Sequence, residues 1–154
     1  MKTVKTAGII LGSVLTLLII IAPIGPLPGF FIGGTTADVP EKWPDTSAVH
    51  EIQLRVPGTP PRVVVIWVID YAEELYIVGR SASTWVNMIG QAAPVEMRLG
   101  ENTYSLTVSL VSQGWQPMME AYVKKYAPDY PDIVAGFPAV ENAEGEMVVF
   151  KLSR

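Results

Sequence analysis

The stretch from Tyr76 to Gly90, YIVGRSASTWVNMIG, places a glycine, an arginine and three hydroxyl side chains at one corner. An apolar strand pattern precedes the corner and a short helix pattern follows it. Arginine and hydroxyl groups bind phosphate oxygens, and the first backbone N–H groups of a helix have no partner inside the helix. The corner therefore predicts either a site for a phosphate-bearing cofactor or an ordinary turn with Ser83 as the helix cap.

A phosphate-bearing cofactor with an aromatic ring needs a positive group for its phosphate, hydrogen bonds to its ring edge and apolar surface against its ring. Backbone groups of residues 66–68 could bind the ring edge. The candidate cofactor-binding residues are Arg62, Trp67, Gly79, Arg80, Ser81, Ser83, Thr84, Trp85 and Asn87. Each also has a structural explanation, as a strand start, a surface arginine, a turn, a helix cap, a core tryptophan or a solvated amide. No catalytic side chain is assigned.

Other kinds of site are weakly represented. The chain has no cysteine, which excludes disulfides, thiolate catalysis and thiolate metal sites. His50 is the only histidine, and an isolated histidine is typical of the surface. The acidic residues between Asp129 and Glu146 favour a solvated face over a cation site, so no metal is predicted. A formal net charge of −4 argues against nucleic-acid binding.

The N-terminal segment carries no charge from Ala7 to Gly34, after Lys2 and Lys5. A bilayer core is about 30 Å thick and needs about 20 apolar residues in a helix. We therefore predict a transmembrane helix over about residues 6–25, followed by an interfacial segment that carries Phe30 and Phe31. The alternative is a signal peptide cleaved near residues 35–37, although the apolar run is long for one.

The two lysines lie on the short side of this segment, which favours a single-pass protein with a cytoplasmic N-terminus and an extracytoplasmic domain. The predicted organisation is a membrane anchor and interfacial segment over residues 1–34, a linker over 35–48 and a domain over 49–154. The prolines and polar residues of 35–48 are typical of a linker.

Periodicity within the domain predicts six strands and two helices. A strand such as 62–70 is rich in β-branched residues, whereas 51–56 alternates polar and apolar residues. The predicted strands are 51–56, 62–70, 74–78, 95–99, 103–111 and 147–152, and the predicted helices are 84–91 and 115–126. A strand series of this kind hides its edges by closing on itself, which predicts a small barrel.

Three stretches resemble the split β-barrel flavin-binding superfamily of pyridoxamine-phosphate oxidase, nearest its small deazaflavin- or flavin-dependent nitroreductase-like branch. The first is Arg62 at the start of a buried strand that pairs with ELYIVGRSAS. The second is Ser83–Leu106, with a Trp and an Asn on a short helix. The third is Met119–Ile133, a helix with a tyrosine-rich exit. The resemblance covers about residues 50–152.

The resemblance implies a mainly β fold with α-helices (α+β), a six-stranded split β-barrel with two helices. It implies FMN or deazaflavin as cofactor and a homodimer with the cofactor at the interface. Together with the predicted anchor, it suggests a membrane-anchored oxidoreductase that reduces a small acceptor, a nitro compound or a quinone. The alternative is a non-enzymatic, membrane-tethered module that binds a lipid, haem or a partner protein.

Overall fold

A computed structural model describes residues 29–154. The predicted transmembrane helix over residues 6–25 lies outside the described residues. Within residues 29–154, no helix has both the length and the apolar character needed to cross a membrane.

The described chain contains seven strands and three helices. The strands are β1 Thr35–Thr36, β2 Glu51–Val56, β3 Arg62–Tyr71, β4 Glu74–Arg80, β5 Ala92–Leu99, β6 Asn102–Leu110 and β7 Met147–Ser153. The helices are α1 Thr84–Ile89, α2 Gln116–Tyr126 and α3 Pro131–Val134, and a 3₁₀ turn follows at Val140–Asn142.

The sheet runs in the order β1-β6-β5-β2-β3-β4-β7, and β6 also pairs with β7. Strands β2 to β7 therefore close into a six-stranded antiparallel barrel, which confirms the predicted strand number and class. Strand β1 adds to the barrel by parallel pairing with β6. Both predicted helices are present.

The bounds of most elements differ from the predicted ones by one to three residues, and two of these differences have a clear local cause. Helix α1 ends at Ile89 because Gly90 adopts a positive φ of 63°. Strand β5 begins at Ala92 and contains Pro94, which is tolerated because β2 pairs only with Glu96–Arg98 of this strand. The short helix α3, which was not predicted, begins at Pro131, where a proline's missing N–H costs nothing.

Strand β3 changes partner halfway along. Its residues Arg62–Trp67 pair with β2, whereas Val68–Tyr71 pair with β4. Beyond Ile77, β4 pairs only with β7. A gap therefore opens between the first half of β3 and the end of β4. At the far end of this gap, Val63 exchanges two backbone hydrogen bonds with Gly29, at 2.9 and 2.7 Å.

The two faces of the barrel wall are both covered. Inward-facing side chains such as Leu54, Ile77 and Phe150 form the barrel core, and Val86 and Ile89 of α1 close one end of it. On the outer face, α2 packs Met119, Tyr122 and Tyr126 against Ile69, Tyr76 and Val78. Burial on both faces explains why β3 is so rich in β-branched residues.

Helix α2 is fixed to the barrel by polar contacts as well as by packing. The Tyr126 hydroxyl accepts a hydrogen bond from the Val68 N–H at 2.9 Å and can donate to the carbonyl of His50 at 2.6 Å or of Val68 at 2.7 Å. The Lys125 ammonium donates to the carbonyls of Thr46, Val49 and Val68 at 2.7 to 3.0 Å. Strand β2 pairs with β3 only up to Trp67, so these side chains of α2 provide hydrogen bonds for the next residue of β3, Val68.

Residues 29–48 also lie against the barrel. The Thr103 hydroxyl donates to the Gly33 carbonyl at 2.7 Å, and the Arg98 guanidinium donates to the Ile32 carbonyl at 3.3 Å. Trp43 is 5% exposed and meets Tyr104 edge-on at a centroid distance of 5.3 Å. The segment 35–48, predicted as a linker, thus contributes a side chain to the barrel core.

We expect Tyr126→Phe to lower the free energy of unfolding by about 1–3 kcal/mol, because it leaves the buried Val68 N–H and the His50 carbonyl short of a partner. Urea denaturation followed by tryptophan fluorescence measures the loss. Tyr71→Phe removes the same atom from a half-buried ring at the end of β3 and should cost less than about 0.5 kcal/mol. Equal effects of the two changes would contradict the role given to the Tyr126 hydroxyl.

Candidate functional site

A cleft of about 360 Å³ lies on the outer face of β3, beside the gap. Its walls come from β3, α2 and the segment around α3. We call it the aromatic cleft; its lining residues are Glu51, Val65, Ile66, Trp67, Tyr122, Ile133 and Phe137. Glu51 is the only charged member, so the cleft is suited to a flat, mainly apolar ligand.

Aromatic side chains fix the geometry of this cleft. Trp67 stacks on Tyr126, with a centroid distance of 4.2 Å and an interplanar angle of 11°. Its other aromatic neighbours are Tyr130 at 4.8 Å, Tyr122 at 5.8 Å and Phe137 at 6.5 Å. Tyr126 therefore covers one face of the indole, and its remaining surface borders the cleft. Trp67 thus belongs to the packed outer cluster and also lines the candidate site.

Backbone groups of β3 border the same site. Val63 bonds to Gly29 on the side of β3 that faces away from β2. Since polar backbone groups alternate sides along a strand, Val65 and Trp67 present theirs to the same edge. Strand β4 pairs with β3 only from Val68 onward. Within residues 29–154, Val65 and Trp67 therefore have no strand partner on this edge, which lies next to an apolar wall.

The two predicted phosphate-binding arginines lie on different faces of the barrel wall. Arg80 alternates with Tyr76 and Val78 of the outer cluster, and its guanidinium donates to the Gly136 carbonyl at 3.1 Å. Arg62 alternates instead with inward-facing residues and lines a separate cavity. The structure places Arg80 next to Phe137 of the aromatic cleft and does not bring Arg62 to it.

The GRSAST corner is largely satisfied by its own contacts. The Ser81 hydroxyl donates to the Gly145 carbonyl at 2.6 Å, and the Ser81 N–H donates to the Glu146 carbonyl at 2.9 Å. Ser83 occupies the cap position of α1 without a side-chain capping bond. Thr84 and Asn87 are exposed, and the Asn87 amide donates to the Ser83 carbonyl at 3.1 Å. These contacts fit the turn interpretation of the corner.

Gly79 and Trp85 form a packing contact. A Cβ atom on Gly79 would lie 2.3 Å from Cζ2 of Trp85 and 2.8 Å from Cγ2 of Val86. Only glycine lets the indole lie this close to β4. Trp85 also lies 6.0 Å from the ring of Phe150 in the barrel core. Both candidate residues therefore hold α1 in place.

Burial shapes the electrostatics beside the cleft. Burial, and then the neighbouring Tyr126, raises the pKa of Tyr122 above its ordinary value. Burial likewise raises the pKa of Tyr126, against the opposing effect of the hydrogen bond with Val68. Burial lowers the pKa of Lys125. Among residues 29–154, no group of three or more acidic or histidine side chains is arranged to hold a metal ion.

Of the side chains that line the cleft, only that of Trp67 was a site candidate in the sequence. The helical spacing of Tyr122 predicted a helix and no site, and Ile133 and Phe137 lie in a proline-rich stretch with no clear periodicity. Apolar residues within DYPDIVAGFP were the available signal. A large apolar side chain in a polar, proline-rich stretch usually packs against a neighbouring element, but the sequence does not say which one.

Known proteins resemble this chain in structure and not in sequence. No protein-family model matches the chain, and no curated protein matches its sequence. A candidate general stress protein 26 from Jannaschia sp. CCS1 superposes with a TM-score of 0.50 at 9% identity, over 70% of this chain and 67% of that chain.

Two further structures are similar. The FAD and heme binding protein from Mycobacterium smegmatis gives a TM-score of 0.49 at 14% identity, over 70% of this chain and 62% of that chain. This chain thus spans less than two thirds of that protein. An F420 reductase gives 0.41 at 17% identity, over 75% of this chain and 94% of that chain. At such identities, structural likeness shows the fold alone.

The fold is a split β-barrel. The resemblance to the pyridoxamine-phosphate-oxidase-like flavin-binding proteins is therefore confirmed at the level of fold. Helix α2 covers part of the outer barrel wall, and the gap between β3 and β4 lies beside it. A ligand could contact the wall only where α2 leaves it uncovered.

The residues at this site fit the ring of a flavin better than its phosphate. The cleft supplies an apolar wall and an adjacent strand edge, which match a flat ring with hydrogen-bonding groups on its rim. Arg80 supplies one cation beside it. The Ser81 donors, by contrast, are already bonded to Gly145 and Glu146. A phosphate here would depend mainly on Arg80.

We expect Gly79→Ala to cost about 1–3 kcal/mol of stability, because the added methyl group collides with Trp85. The free energy of unfolding in urea measures this cost. In a Trp85→Leu background the collision is relieved, so Gly79→Ala should cost clearly less there. If the two changes are additive, the packing explanation fails.

At least two of the six tyrosines should resist ionisation until the chain unfolds. The pKa values of Tyr122 and Tyr126 are raised in the folded state, so the unfolded chain releases these protons first. Their stabilising contribution is complete below pH 10.0, the ordinary value, and is lost as the pH rises above it. Tyrosinate absorbance during alkaline titration measures this. Tyr126→Phe should remove one late-titrating group; complete ionisation of the folded chain would contradict the prediction.

Proposed function

We propose that this protein binds a flavin-type cofactor, FMN or a deazaflavin, in the aromatic cleft and acts as an oxidoreductase. The separation of β3 from β4 before Val68 carries the proposal, because within residues 29–154 it leaves a strand edge beside an aromatic wall. Similar folds in solved structures include an F420 reductase and an FAD and heme binding protein. Their names motivate the choice of cofactor class, and the geometry supports its position.

Particular groups would hold the cofactor. Trp67, Tyr122 and Phe137 would border the ring, because they form the stable walls of the cleft. The backbone of Val65 and Trp67 would bind the ring edge. The Arg80 guanidinium would bind the phosphate, exchanging its contact with the Gly136 carbonyl for a stronger, charge-assisted one.

The protein's own contribution is to bind, orient and shield. When bound, the cofactor would supply hydride transfer, which with one proton from solvent reduces a quinone to a hydroquinone. The walls exclude water from one side of the ring. Ile133 is 52% exposed at the edge of the cleft, which leaves an approach for a small acceptor. A second copy of the chain could cover the same side, so a homodimer belongs to the proposal.

A membrane anchor is also part of the proposal. The uncharged run Ala7–Gly34 is long enough to span a bilayer, and Lys2 and Lys5 favour a cytoplasmic N-terminus with the barrel outside. An anchored barrel would meet lipid-soluble acceptors at high local concentration. Quinones and nitroaromatic compounds are acceptors of this kind.

An absorbance spectrum of the detergent-purified full chain tests the proposal, before and after incubation with FMN or a deazaflavin and desalting. We expect a retained flavin or deazaflavin band. A Soret band instead would favour the haem-binding module, and a colourless chain that takes up neither cofactor would contradict the proposal.

Arg80→Ala should weaken the binding of FMN by about ten-fold or more, since a charge-assisted hydrogen bond contributes about 1.5–3 kcal/mol. Quenching of flavin fluorescence during titration measures the affinity. Lys124→Ala removes an exposed cation from the solvent side of α2 and is the matched control. Equal affinities for the two variants would remove Arg80 from the site.

A further inference from the structure

Three segments that are distant in sequence meet at one end of the barrel, and none of them carries an acidic residue. They are residues 29–31, the β2–β3 loop with the first residue of β3, 57–62, and helix α1 up to Met88. A cavity of about 310 Å³ joins them; it is lined by Gly29, Phe30, Pro60, Pro61, Arg62 and Met88.

This end differs from the rest of the surface in its side chains. Phe30 is 45% exposed and Phe31 is 64% exposed, and both are large apolar residues. Thr59 and Pro60 are exposed and uncharged. From Ser81 to Val95 the chain has no charged residue at all. Exposed apolar surface of this kind is typical of sites that bind another protein or a membrane.

The charges around this end are arranged at its border. Arg62 is the charged residue that lines the cavity. On the other side of the β2–β3 loop, Arg55, Glu96 and Arg154 line a neighbouring cavity with Pro57 and Pro61, and Arg55 pairs there with Glu96. The border of the uncharged surface therefore carries both signs of charge, while Arg62 is the cation within it.

We propose that this end, residues 29–31, 57–62 and 84–88, docks on the surface of a bilayer with anionic headgroups; we call it the membrane-docking face. The chain reaches Gly29 directly from the uncharged run that begins at Ala7, so a membrane anchor would deliver this face to the lipid. Phe30 and Phe31 would enter the interface, and the Arg62 guanidinium would bind lipid phosphate. The proposal rests on the anchor of the proposed function.

A spin-label experiment on the full chain tests this docking. The chain has no cysteine, so single labels need no background substitutions. Thr59→Cys and Thr84→Cys report from the membrane-docking face. Glu101→Cys in the β5–β6 turn and Glu120→Cys in α2 are exposed controls away from it. The labelled chains are reconstituted into vesicles of phosphatidylcholine and phosphatidylglycerol, and collisions with oxygen and with a water-soluble nickel chelate are measured.

We expect labels at positions 59 and 84 to collide more with oxygen and less with the nickel chelate than labels at 101 and 120. Equal exposure of all four labels to the chelate, in a chain that stays in the vesicles, would overturn the docking face and leave the anchor standing. A chain that the vesicles do not retain would overturn both. Protection from both reagents, in detergent as in lipid, would show that a second copy covers this end and would also overturn the proposal.

The role of Arg62 has its own readout. Removing phosphatidylglycerol should weaken the protection of position 59 in the unchanged chain. Arg62→Ala should abolish that dependence, and Arg62→Lys should keep most of it, because one basic group near an anionic surface changes the docking equilibrium by about five-fold. An Arg62→Ala chain with undiminished dependence on the anionic lipid would remove Arg62 from the contact.

Discussion

The transfer of β3 from one neighbour to another at Val68 is the constraint on which the other features depend. A ten-residue strand pairs with β2 over its first six residues and with β4 over its last four. Each half leaves one polar edge without a strand partner, and a buried edge of this kind must be paired. Gly29 pairs with Val63 on one side, and Tyr126 and Lys125 pair with Val68 on the other.

The same transfer explains the position of the candidate site. Where Tyr126 reaches Val68, its ring must lie against β3, and Trp67 stacks on it at 4.2 Å. Helix α2 then brings Tyr122 to the same face, and the chain after α2 adds Ile133 and Phe137. The aromatic cleft therefore forms where the hydrogen-bonding partner of β3 changes from strand β2 to the Tyr126 side chain. Stability and ligand access are set by the same few contacts.

The sequence predicted the strands and helices well because each of these elements depends mainly on the residues within it. The β-branched run of β3 and the alternation along β6 identify strands without knowledge of their partners, and Gly90 marks the end of α1 within two residues. The six-stranded barrel followed from the order of these elements. The resemblance to flavin-binding proteins rested on the same order, and it held at the level of fold.

The sequence did not predict what depends on long-range register. Arg62 and Arg80 are both basic residues at the ends of neighbouring strands, yet strand alternation sends their side chains to opposite faces. The hydroxyl of Ser81 is a group that can bind phosphate, but it donates its hydrogen bond to the Gly145 carbonyl in the turn before β7. Nothing within a few residues of Ser81 encodes Gly145 as its partner.

The burial of Trp43 has a mechanical consequence. The segment from Gly29 to Thr46 is hydrogen-bonded to the barrel or packed on it at several points along its length. The barrel therefore has little freedom to rotate relative to this segment. The direction in which the chain enters the barrel at Gly29 is therefore part of the fold.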